Sequence, residues 1–152
     1  MKGKSVQKEK LVLLALISTI LIFGFYSWYV YNRYIGVNPD IINDPGFWGK
    51  TFMILIPVAI VVQIIVHIIF AIINAAVTRE EITDLTDERD KVIDLKAIRI
   101  SHWIFTVGFM LSMGSQALGM QLWVMFVSLI LSGFIASIVS EIAKIYYYQR
   151  GF

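Results

Sequence analysis

Four stretches of this chain are too long and too apolar to be anything but membrane helices, and every other reading has to fit around them. They run over about 11–31, 51–77, 100–118 and 122–143, and together contain no Asp, Lys or Arg and a single Glu, Glu141. A hydrocarbon core of about 30 Å takes roughly 20 apolar residues as helix. Each stretch must be helical, because unpaired backbone in lipid costs several kcal/mol per group. The fold expected is therefore all-α, a polytopic membrane protein of four transmembrane helices in a single domain. The first stretch follows Lys2, Lys4, Lys8 and Lys10, as a signal peptide would. It is followed, however, by Tyr26, Trp28, Tyr29 and Tyr31 instead of a small-residue cleavage site, and reads as a retained signal anchor.

Orientation follows from the bases. Lys and Arg number four before the first stretch, two between the first and second, five between the second and third, none between the third and fourth, and two at the end. The excess of bases marks the cytoplasmic side. Both termini and the central loop are thus expected in the cytoplasm, with the chain in the cell (inner) membrane. Aromatics mark the interfaces: Trp48 and Trp123 on the outer side, Trp103 and Tyr146 on the inner. The outer loop carries Asn38-Pro39 and Asp44-Pro45-Gly46 as turn signals. The short link around 114–121 makes the last two helices an antiparallel hairpin.

Overall, 16% of residues are charged and the net charge is +2, too small a surplus to indicate nucleic acid. There is no cysteine, which excludes disulfides, thiolate metal sites and cysteine nucleophiles. Phosphate loops, His-Glu-x-x-His and nucleophile elbows are missing as well. No catalytic residue, metal site or cofactor is expected, and an enzyme ranks behind the two readings below.

The charges concentrate between Arg79 and Arg99. Thr78 with Glu81 fits a capping box, and Thr83 or Thr86 offers a second helix start. Asp87 and Glu88 suit the positive end of a helix dipole, with Lys91 within pairing reach of both. Leu85, Val92, Leu95 and Ile98 recur at helical period, widened by Ile93 and Ile100. A cytoplasmic amphipathic helix over about 87–100, running into the third span, is expected. It is either a self-paired connector against the headgroups or a docking surface for a cytoplasmic protein. Seven acids against five bases in the block disfavour a simple anionic-lipid patch.

The run Asp87-Glu88-Arg89-Asp90-Lys91, continuing to Lys96 and Arg99, resembles the signature of a family of small bacterial and archaeal four-helix membrane proteins known only as a domain of unknown function. The closing Tyr146-Tyr147-Tyr148-Gln149-Arg150-Gly151-Phe152 is similar to the ends of some members. The resemblance covers most of the chain and implies the same four-helix fold. It brings no activity with it.

Polar groups at membrane depth are candidates for function. Gln63, His67 and Asn74 are spaced to share one face of the second helix, expected to point into the bundle or at a partner. They serve either a proton or ligand path or plain interhelical hydrogen bonding. His102 lies too near the cytoplasmic end to join His67 in a metal or haem site. Pro57 is expected to kink its helix, and Glu141 with Lys144 reads as an interfacial ion pair. On the fourth helix Ser128, Ser132, Ala136 and Ser140 recur every four residues with Gly133 and Ser137 beside them, and Gly108 and Ser112 match them on the third. Such faces let helices approach closely, within one chain or across a homodimer. A homo-oligomer, a dimer first, is expected.

Two functions follow. One is a non-enzymatic membrane protein that binds or regulates a partner through the loop helix. The other is a small oligomeric transporter or channel using the polar face of the second helix.

Overall fold

The structure, a computed structural model, describes residues 2–78 and 88–150, with side chains from residues 7–76 and 88–150. Four long helices make up nearly all of it: α1 (Lys2–Val30), α2 (Pro45–Thr78), α3 (Glu88–Ala117) and α4 (Leu122–Arg150). Three of them, α1, α2 and α4, are long and apolar enough to cross a membrane. The polar ends of α3 keep it below that mark. Residues 88–100 and 100–117 form one unbroken helix, so no joint separates the expected loop helix from the expected third span. The capping pairs at Thr83 and Thr86, the partner of Thr78 at Glu81, and Asp87 lie outside the described residues. Pro57 sits inside α2, which continues through it as a single helix.

Side chains are distributed in the reverse of a water-soluble domain. Phe25, Trp28, Met53, Ile72 and Leu111 are all largely exposed, whereas Ser18, Thr51, Ser112, Ser115, Ser132 and Ser140 are buried. Small polar groups inside and large apolar ones outside are what packing in lipid selects, and the distribution is consistent with a membrane protein.

The ends and turns have local causes. A single π-helical turn (Tyr31–Ile35) extends α1, closed by the Gly36 amide donating to the Tyr31 carbonyl at 2.7 Å. A 3-10 turn (Pro39–Asn43) leads to α2. There Asp44 caps the helix, its carboxylate accepting from the Gly46 amide at 2.8 Å, with Pro45 opening the first turn. This loop folds over the end of the bundle. Trp48 donates from Nε1 to the Ile42 carbonyl at 2.7 Å, stacks on Phe126 of α4 at 5.8 Å between centroids, and shares a core with Val30 and Phe47.

Between α3 and α4 the chain reverses in four residues. The Met120 amide bonds the Ser115 carbonyl and the Gly119 amide that of Gln116, each at 3.0 Å, which is the paired pattern of a Schellman stop. Gly119 takes φ of 72°, a left-handed conformation in which a Cβ costs about 1–2 kcal/mol. Gly119→Ala is expected to lower unfolding stability by about 1 kcal/mol, measured by denaturant titration in micelles.

Around the bundle the order is α2, α1, α4, α3. The hairpin of α3 and α4 is the most intimate pair, α1 packs on both α4 and α2, and α2 meets α4 only sparsely. Among the described residues α2 and α3 make no close approach. The bundle is therefore open along the side between them.

Candidate functional site

At the end of the bundle where both termini lie, side chains of α1, α3 and α4 come together. Their meeting is polar. Asp90, 6% exposed, pairs with the ammonium of Lys8 from α1 and accepts from the Tyr148 hydroxyl of α4 at 3.2 Å. Arg89 donates to the Tyr148 carbonyl at 3.4 Å. Lys144 lies 3.6 Å from Asp94 and 3.4 Å from Glu141. Gln149 donates to Glu9 at 2.5 Å. Lys96 sits 5.3 Å above the Tyr147 ring and Arg150 4.9 Å above that of Tyr146. These contacts clasp three helices at one level.

The clasp explains two members of the Asp87–Lys91 run. Arg89 and Asp90 face α4 because the inward stripe of α3 is Asp90, Ile93, Ala97, Ser112 and Ser115, whose steps of three, four, fifteen and three all keep one helix face. The same geometry turns the apolar stripe read from the sequence outward. Val92, Leu95 and Ile98 are exposed, Leu95 at 66% and Ile98 at 59%, while Ile93 is fully buried one position away. Lys91 and Arg99 are exposed beside them. Glu88 makes no ion pair with Lys91 among the described residues, a correction to the expected helical pairing. Asp90 is taken into the clasp, Asp94 stays half-exposed beside Lys144, and the outer surface carries Lys91 and Arg99 together with the exposed Glu88. No sequence pattern predicts the pairing of Lys8, Glu9, Asp94, Tyr148 and Gln149. Their pairing spans up to 140 residues, and no local spacing signals it.

The polar residues of α2 are not brought together. Gln63 turns to α1, donating to Thr19 Oγ1 at 2.9 Å and accepting from Ser18 at 3.2 Å. His67 is exposed instead of facing into the bundle, and its Nδ1 lies 2.8 Å from the Gln63 carbonyl on its own helix. Asn74 is half-buried about two turns beyond His67 and three beyond Gln63. A shared helix face fixes direction only to within about 40°, and α1 covers one part of that arc.

The small-residue face of α4 is used inside the chain. Ser132, Ala136 and Ser140 are buried, and a Cβ on Gly108 of α3 would stand 2.1 Å from Ser132 Oγ. Ser112 donates to the Met125 carbonyl across the pair at 2.7 Å. Ser128 bonds its own helix at the Val124 carbonyl. Gly133 and Ser137 turn instead to a crevice beside α1 and α2. As expected, Lys144 and Glu141 pair at 3.4 Å.

No protein-family model, curated protein or solved structure matches the chain.

Proposed function

We propose that the chain is a non-enzymatic protein of the cell membrane that spans it four times, keeps both ends in the cytoplasm, and binds a cytoplasmic protein through the outer face of α3. The observation that carries this reading is the exposure of Val92, Leu95 and Ile98 on a helix whose opposite side is sealed by the clasp.

Depth turns that exposure into a docking surface. α3 is packed along α4, so a bilayer crossed by α4 also holds α3, whose exposed Trp103, Met110 and Leu111 suit lipid. Trp103 is the natural mark of the inner interface. Leu95 precedes it by about 12 Å and Val92 by about 16 Å, at 1.5 Å per residue. Headgroups add only about 5–8 Å to each side of the hydrocarbon. Acyl chains thus do not reach Leu95 or Val92, and an unbroken α3 has no joint at which to lie flat. Fully covering a leucine is worth roughly 1.5–3 kcal/mol, which a partner with an apolar recess would gain. Acidic groups at its rim would meet Lys91 and Arg99.

The transporter reading has weaker support, since Gln63 is engaged by α1 and His67 is exposed. A photo-crosslinker at Leu95 of the full chain in its own cells provides the test. One discrete protein adduct is expected, lost with Ile98→Glu and missing when the crosslinker sits at Ile65. Adducts only to lipid, or only to a second copy, would overturn the proposal.

A further inference from the structure

The open side between α2 and α3 leads into a crevice of about 690 Å³, within the roughly 300–1,000 Å³ of ligand sites. One wall is α2 from Phe52 to Ile64, another the Phe23–Phe134 stack of α1 and α4 at 3.9 Å. Gly133 and Ser137 leave it deep on the α4 side, and Phe105 of α3 edges the mouth.

The geometry points to a single acyl chain of a bilayer phospholipid as the resident of this crevice, entering sideways between α2 and α3. Three observations select that occupant. Apart from Thr19, Gln63 and Ser137, the lining is apolar or glycine, and Thr19 and Gln63 already bond each other. The ligand is therefore hydrocarbon at this depth. The crevice is long: Phe52 to Ile64 extends about 18 Å along the bundle axis at 1.5 Å per residue. Spread over that length, 690 Å³ leaves room for a path about 7 Å wide at atom centres, or about 10 Å between the walls once a water radius of about 1.4 Å is added on each side. A helix with its side chains measures about 10–12 Å across, so a second copy or a partner helix would enter only by pushing the walls apart. A compact ring system would leave most of the length empty, and an unfilled apolar gap forfeits dispersion contacts along its whole lining. A linear chain aligned with its neighbours in the leaflet satisfies length, width and polarity together.

Native mass spectrometry of the full chain, extracted in mild detergent, tests this. One phospholipid per chain is expected to persist after detergent exchange. Gly133→Leu fills the crevice from α4, and Ile60→Trp plugs it from the half-exposed rim of α2. Each is expected to lower occupancy about tenfold or more, equivalent to 1.4 kcal/mol of binding. Met53→Leu, exposed and outside the crevice, is expected to leave it unchanged. Should Gly133→Leu not fold, judged by circular dichroism, Ile60→Trp decides. Persistence of the lipid in a folded Ile60→Trp variant, loss in Met53→Leu as well, a folded wild type that carries none, or an adduct with the mass of an isoprenoid instead of a phospholipid would each overturn the assignment.

Discussion

Replacing Gly108 with alanine is expected to push α3 off α4 and to be among the most damaging single changes in the molecule. The added Cβ would stand 2.1 Å from Ser132 Oγ, 2.4 Å from its Cβ and 3.4 Å from its Cα. Rotating the hydroxyl relieves only the first contact. The Cβ of Ser132 cannot rotate away, so the helices must separate. Separation would strain the contacts on the same seam, including the fully buried Ser112 and its 2.7 Å bond to the Met125 carbonyl. Overpacking of this kind costs about 1–3 kcal/mol, and close approach through small residues is the chief source of helix association in lipid. Gly108→Ala should therefore lower unfolding free energy by about 2 kcal/mol in micelles. Ser132→Gly on the same chain should recover most of the loss, because it removes the obstructing Cβ. Ser132→Ala should not. A Gly108→Ala protein within about 0.5 kcal/mol of wild type would show that the two helices do not meet at this point.

The second large effect is expected at the clasp. Lys8→Met removes a cation paired with Asp90, a carboxylate that is 6% exposed and also accepts from the Tyr148 hydroxyl at 3.2 Å. Breaking a buried pair on one side costs about 3–5 kcal/mol. The Lys8 side chain is 27% exposed, so water already screens part of the interaction, and about 2 kcal/mol is the fitting expectation. Lys8→Met combined with Asp90→Asn should lose less than Lys8→Met alone, since no charge is then stranded. A double-mutant cycle gives the coupling directly. Coupling below about 0.5 kcal/mol would reduce the pair to an ordinary surface contact. Because the Lys8–Asp90 pair is what ties α1 to α3 among the described residues, proteolysis near Lys10 should also accelerate in the single variant.

Much of the fold was legible in the sequence because hydrocarbon demands continuous runs of apolar residues, and runs are visible one residue at a time. The four stretches, the short turn before Leu122 and the small-residue steps of α4 all appear in the structure as helices, a hairpin and a packed seam. The chain could not show its helix ends as well as its apolar runs. α1 starts at Lys2, ahead of its first apolar run, and α4 continues to Arg150, past the last of its own. Charged residues continue a helix when a neighbouring helix supplies the partners.

The candidate site was less legible, for a physical reason that Val92, Leu95 and Ile98 illustrate. Periodicity finds a stripe but does not say what lies opposite it. In this block two stripes compete, one apolar and one built on Asp90, Ile93 and Ala97. The apolar one would win in an isolated helix beside a membrane. Here Asp90 is drawn inward because Lys8, 82 residues away, and Tyr148, 58 residues away, converge on it. The same holds for Gln63 and His67, which share a helical face but differ because α1 covers one and leaves the other open.

The sequence by itself determined that this chain is helical, that its helices are apolar along most of their length, and where small residues let two of them touch. Those are properties of single segments, set by the cost of exposing backbone and charge to hydrocarbon. Only the tertiary structure decided which side of α3 faces inward, that α2 stands apart from α3, and that a narrow crevice remains between them. Those depend on contacts between residues far apart in the chain, where one buried ion pair outweighs a helix's own pattern.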